Sequence, residues 1–147
     1  MSDAAGGDEL CRCEGDADWV LVDTLSAHPL HCAGCRGLIP VFKRLEDSTV
    51  GKDLVYWQTI HRSLYQLWLD SGEYEDWATA QLSNPEGSVN QMGWKLTKWL
   101  TQHHPTYLWF FANEEKALPE KCPACNQPLE EGNGWFTAKC DRCRLVL

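Results

Sequence analysis

The alternation of apolar and polar residues divides the chain into a β-prone start, a helical middle and a short-stranded end. Residues up to about Leu10 are small or acidic and read as a solvated tail, 1–10. The run Trp19-Val-Leu-Val22 predicts a strand. Leu38-Ile-Pro-Val-Phe42 predicts another, which Pro40 places at an edge or bend. From Asp53 the period changes: Leu54, Trp57, Ile60, Leu64, Leu67 and Trp68 recur at three- and four-residue steps, the apolar face of a helix that Gly72 stops. A shorter helix spans Tyr74 to Leu82 and ends at Asn84-Pro85, because the residue before proline is driven out of the α region. Ser88 with Gln91 three residues on predicts a capping box for a third helix, with Val89, Met92, Leu96 and Leu100 inward and an end at His104. Gly93 costs this helix propensity, so close packing against a neighbour is the expected compensation. Thr106 to Phe111 is continuously apolar and aromatic, a buried strand. A polar connector leads to a closing hairpin with its turn at Gly132-Asn-Gly134, a strand over Trp135–Lys139 and a last apolar run to Leu147.

Composition narrows the class. A chain of 147 residues suffices for one domain with a core, and 44% hydrophobic with 23% charged residues is ordinary for a globular protein. No stretch approaches the ~20 apolar residues of a membrane span, so no membrane partner is expected. The first nine residues carry neither the basic nor the apolar segment of a secretory signal, so the expected compartment is the cytoplasm.

Eight cysteines change the picture most. They fall into four close pairs, Cys11/Cys13, Cys32/Cys35, Cys122/Cys125 and Cys140/Cys143. In a reducing compartment such pairs read as metal ligands rather than disulfides. A Cys-x-x-Cys turn places two sulfurs on one side of a loop, and two such turns complete a zinc tetrahedron. Fourteen residues separate Cys125 from Cys140, with the glycine turn between them, so Cys122, Cys125, Cys140 and Cys143 predict a zinc ribbon. Cys11, Cys13, Cys32 and Cys35 predict a second structural zinc, although Cys11 and Cys13 lie one residue apart rather than two. His28 or His31 can replace one of those ligands, since imidazole also suits zinc. The fold class is therefore α+β: about three central helices with short strands, flanked by an N-terminal zinc-knuckle module (11–43) and a C-terminal zinc ribbon (118–147). Residues 44–117 form the helical core with its aromatic strand.

Four thiolates leave zinc no open position, so two structural Zn²⁺ ions and no catalysis are expected. Phosphate loops, nucleophile elbows and His-Glu-x-x-His helices are absent from the sequence, and no small-molecule substrate is inferred. His61 reads as a core residue, and His103-His104 as a favourable charge at a helix C-terminus. Trp57, Trp68, Trp77 and Trp109 fit buried faces, whereas Trp94 and Trp99 fall off the stripe and reach toward the surface.

The order Cys32-x-x-Cys35, Ile39-Pro-Val, Trp57, Leu67-Trp68, Ser71-Gly72, Pro105-Thr-Tyr, then Cys122-Pro-Ala-Cys125 and Lys139-Cys-Asp-Arg-Cys-Arg-Leu145 resembles an uncharacterised bacterial family. That family is described as zinc-ribbon-containing and suggested to bind nucleic acid, and the likeness covers about residues 30–147. The resemblance implies that Cys122, Cys125, Cys140 and Cys143 are the ribbon ligands and Cys32/Cys35 an upstream pair. The chain departs from it in lacking a longer N-terminal part and in adding Cys11/Cys13.

Net charge is −8, with Asp3, Asp8, Glu9, Glu14, Asp16 and Asp18 crowding the N-terminus. Acidity and abundant tryptophan point first to another protein as partner, and a basic one: the chain would be an accessory subunit or an immunity-type inhibitor. The alternative is nucleic acid, contacted by Lys139, Arg142 and Arg144 with Trp135 stacking.

Overall fold

The computed structural model describes residues 10, 11, 13, 17–23, 28–39, 48–112, 118–132 and 135–147. The acidic tail, the Pro40–Phe42 end of the second expected strand, most of the polar connector and the tip of the glycine turn lie outside them.

A 22-residue helix, α1 (Thr49–Asp70), starts four residues before the periodic stripe because Ser48 caps it, its Oγ accepting the Gly51 N–H at 3.0 Å. It ends where expected, at Ser71 with Gly72 at φ +64°. Two further helices follow, α2 (Glu75–Ser83) and α3 (Ser88–Thr101). The capping box does not form. Gly87 is the N-cap without a side-chain bond, Ser88 is already helical, and the Gln91 amide donates to the Pro85 carbonyl at 2.8 Å. Asn90 takes over this corner by donating to the carbonyls of Leu82 and Asn84.

The strands, β1 (Trp19–Leu21), β2 (Leu30–Cys32), β3 (Thr106–Trp109), β4 (Glu130–Glu131), β5 (Ala138–Cys140) and β6 (Leu145–Val146), form one sheet in the order β2-β1-β3-β6-β5-β4. Both β1–β3 and β3–β6 are parallel, while the outer pairs are antiparallel. Leu38 forms only isolated bridges, to Leu10 and His31, where a longer strand was expected. The sheet draws strands from the N-terminal, central and C-terminal segments alike.

Strand alternation gives each face a different cover. Leu21, Leu30 and Leu108 pack with Leu54, Trp57, Val89, Leu96 and Leu100 of the helices. On the other face Val20, Tyr107 and Val146 pack beneath Trp135 and Phe136. Gly93 occupies the tightest helix–sheet contact: a Cβ there would stand 2.8 Å from Leu108 Cδ1 and 3.1 Å from Trp57 Nε1. Gly93→Ala is expected to destabilise by about 1–3 kcal/mol through overpacking despite its better helix propensity, as read by urea denaturation.

His61 is a core residue, 1% exposed, against Trp57 and Trp109. Burial pulls its pKa down to about 4, so the folded protein holds it neutral. The unfolded chain protonates it near 6.5, so between those values the unfolded state binds more protons and stability falls as pH falls. The contribution is full above about pH 6.5 and gone below about 4, a difference of about 3 kcal/mol. His61→Gln should flatten the acid limb relative to wild type. His104 stacks on Trp19 at 4.4 Å with its Nε2 2.8 Å from the Ala17 carbonyl, docking the end of α3 onto β1. Trp77, expected inside, is 54% exposed because α2 buries only Ala78 and Leu82.

Candidate metal centres

Among the described residues two groups of four cysteines converge, and in each the four sulfurs lie within 4.8 Å of one another: Cys11, Cys13, Cys32, Cys35 and Cys122, Cys125, Cys140, Cys143. Cys13 and Cys32 sulfurs stand 3.8 Å apart, and those of Cys125 and Cys140 stand 3.7 Å apart. Each group can hold a metal ion. All eight are free thiols, consistent with separations far beyond the ~2.05 Å of a disulfide.

Two of the knuckles have the same backbone wiring. The N–H two residues after the first cysteine donates to its sulfur, from Gly34 to Cys32 at 3.3 Å and from Ala124 to Cys122 at 3.4 Å. The N–H four residues on donates to the first cysteine's carbonyl, from Arg36 and from Asn126, both at 2.8 Å. The first cysteine's own N–H reaches the carbonyl five residues on, Gly37 and Gln127. Arg36 and Asn126 must adopt positive φ to close these loops, at 67° and 63°. In the third knuckle Arg144 does the same at 55°, and Cys140 pairs with Leu145, again five residues on. These three are the only non-glycine residues of positive φ among the described residues. The left-handed conformation costs a side-chain-bearing residue roughly 1–2 kcal/mol. Its recurrence after each Cys-x-x-Cys points to one shared constraint, the aim of two sulfurs at one point.

Cys11 and Cys13 arrive differently. Their segment lies beside Leu38, with the Cys11 N–H donating to the Leu38 carbonyl at 2.8 Å. Gly37 permits this approach, since a Cβ there would fall 2.6 Å from Cys11 Cα.

The sulfurs resist ionising together. Burial pushes the Cys11 thiol up to about 12, and the thiols of Cys35 and Cys32 push Cys13 up to about 11. Burial also raises Cys140 and Cys143, while the Gln127 backbone N–H draws Cys125 down to about 7. Four thiolates in one place need a cation beside them, which is the charge balance of a metal site. His31 is not a ligand: its ring nitrogens face the carbonyls of Arg36 at 2.7 Å and His28 at 3.0 Å. Neither His28 nor His31 belongs to the four-donor group.

Of the four expected nucleic-acid contacts, Arg142 and Arg144 line one cleft, and Trp135 and Lys139 do not. Trp135 Nε1 donates to the Cys32 carbonyl at 2.8 Å and its ring lies under Arg36, so it joins the ribbon to the N-terminal knuckle. Lys139 pairs with Asp141 at 3.4 Å. Arg144 covers the Tyr107 ring at 3.9 Å and pairs with Asp18 at 3.6 Å. Arg142 stays exposed.

Sequence reading missed a cleft of about 1020 Å³ between α3 and the C-terminal knuckle. Lys95, Lys98, Arg142 and Arg144 line it, and Glu86 is the one carboxylate among its lining residues. Trp94, expected to reach outward, forms part of the wall and donates from Nε1 to the Cys143 carbonyl at 3.0 Å. The cations come from segments more than forty residues apart, so no local motif announces them; the Lys95/Lys98 step on one helix face was the available signal.

Among known proteins, a family model described as "Domain of unknown function (DUF2310)" matches residues 15–111. The matched range includes Cys32 and Cys35 and stops short of the C-terminal four-cysteine group. No curated protein and no solved structure matches the chain.

Proposed function

The chain belongs to this family of unknown function, and we propose that it is a non-catalytic binding module whose two metal centres are structural zinc sites. The observation that carries the reading is the closure of both donor sets. Four sulfurs about 2.3 Å from one zinc ion stand about 3.8 Å apart along the tetrahedron's edges, which fits the 3.8 Å and 3.7 Å separations. Zinc so held supplies cross-linking and charge neutralisation, with no position for water or substrate. The N–H groups of Gly34, Gly37 and Ala124 meet sulfur, spreading thiolate charge and fixing ligand direction. Metal analysis should return two zinc ions per chain, with X-ray absorption giving four sulfurs and no nitrogen or oxygen at either. A light-atom ligand in either first shell would overturn the reading.

The work of the module is recognition of a macromolecule. A protein partner is supported by the exposed rings of Tyr56, Trp77 and Trp99. Nucleic acid is supported by the cleft's three exposed cations, Lys95, Lys98 and Arg142, which form no ion pair among the described residues, and on these we place it first. At physiological salt charges act over only ~8 Å, so a ligand in the cleft meets Lys95, Lys98 and Arg142, with Arg144 offset by Asp18, against Glu86 and the formal charge of about −2 of a zinc-filled cysteine group at Cys143, rather than the net −8.

A further inference from the structure

We infer that a single strand of nucleic acid crosses α3, its phosphates in the cationic cleft and a base in an aromatic groove on the helix's other side. The inference rests on the nucleic-acid reading above and assigns it a site. A second groove, of about 650 Å³, lies between α1 and α3, lined by Tyr56, Trp99, Val50 and Leu96. It shares Met92 and Lys95 with the cleft, so the two flank one ridge of α3.

On the cleft side Lys95, Lys98 and Arg142 are exposed and form no ion pair among the described residues. Lys95 and Lys98, one helical turn apart, share a face and can meet neighbouring phosphates. Arg144 stands in the wall with its charge offset by Asp18: Tyr107 and Asp18 hold its guanidinium, and its buried Nη2 has no hydrogen bond. On the groove side Tyr56 is 58% and Trp99 37% exposed, and Trp99 is steadied against His103 at 4.8 Å.

Cations beside open aromatic faces suit a single strand, because the cations track the backbone while any base can stack on a ring. A duplex keeps its bases stacked inward and has none to give the groove. An acidic protein segment would satisfy the cleft and leave the aromatic groove unexplained.

The test is fluorescence anisotropy of labelled oligothymidylate and oligouridylate, and of a duplex of equal length, with zinc-loaded full-length protein at low salt. Single strands should bind at least about tenfold tighter than duplex. Three unpaired cations should give log K against log salt a slope of about −2. K95E/K98E should weaken binding about tenfold or more and flatten that slope. W99A should weaken it about tenfold and leave the slope unchanged. Both variants should keep their zinc content and circular dichroism, since the altered side chains are exposed. Strand binding indifferent to both variants overturns this site while leaving the nucleic-acid reading intact. Absence of any binding at low salt defeats both. Equal affinity for duplex removes the base from the groove. Displacement by polyglutamate as effective as by oligonucleotide assigns the cleft to an acidic protein instead.

Discussion

Stripping metal from the C-terminal centre is expected to dissolve the middle of the sheet rather than fray its end. Strand β6 begins two residues after Cys143 and lies between β3 and β5. Leu145 and Val146 are fully buried. The Leu108 N–H donates to the Arg144 carbonyl at 2.7 Å and the Phe110 N–H to the Val146 carbonyl at 2.8 Å. Trp94 adds a bond from α3 to the Cys143 carbonyl. Structural zinc is worth ~10–16 kcal/mol in small peptides, against a total stability of ~5–15 kcal/mol for a typical domain. A chain without this ion should have no cooperative folded state, and Cys140→Ser should be as damaging as a chelator.

An ion in the N-terminal group would hold less. Its ligand Cys13 is exposed, and the group sits at the β2 edge of the sheet. A chelator titration should therefore release two ions in two steps, the first leaving near-ultraviolet circular dichroism largely native and the second abolishing it. Simultaneous loss of both ions, or a metal-free chain with native tertiary signal, would reject this order.

Features set by neighbours in sequence were legible in it. Helix α1 followed from its apolar stripe, the three Cys-x-x-Cys knuckles from ligand spacing, and β3 from its aromatic run. Gly93 is informative because a propensity penalty inside a good helix demanded a packing reason, and the Leu108–Trp57 contact supplies one. The sheet was less legible. Parallel pairing of β1 with β3 and of β3 with β6 joins residues from separate segments, and two- or three-residue strands leave little periodicity to read. For the same reason the structural link of Trp135 was not legible: its indole hydrogen bond goes to Cys32, more than a hundred residues away. Cysteine spacing could announce the two metal groups, whereas the cleft, built by docking α3 against a knuckle, has no linear pattern.

Arg62→Ala is expected to cost about 3 kcal/mol in denaturant titrations of the metal-loaded protein. Asp23, two residues beyond β1, is fully buried. From α1, Arg62 Nη2 and Nε donate to its two carboxylate oxygens at 2.7 and 3.1 Å, and the Gln58 amide donates at 3.2 Å. This fork ties the end of β1 to the long helix with planar geometry that lysine cannot reproduce. Removing the guanidinium leaves a buried carboxylate with little compensation, a loss of ~3–5 kcal/mol for fully enclosed pairs. The Arg62 side chain is 36% exposed, so incoming water should hold the loss at the lower end of that range. Asp23→Asn should cost less, about 1–2 kcal/mol, because Arg62 can turn to solvent while the amide keeps the shape. The double variant should cost less than the sum of the two, since the second change removes a partner already gone. Additive losses, or an Arg62→Ala effect below about 0.5 kcal/mol, would mean the pair behaves as a surface contact and that apolar packing alone docks β1 on α1.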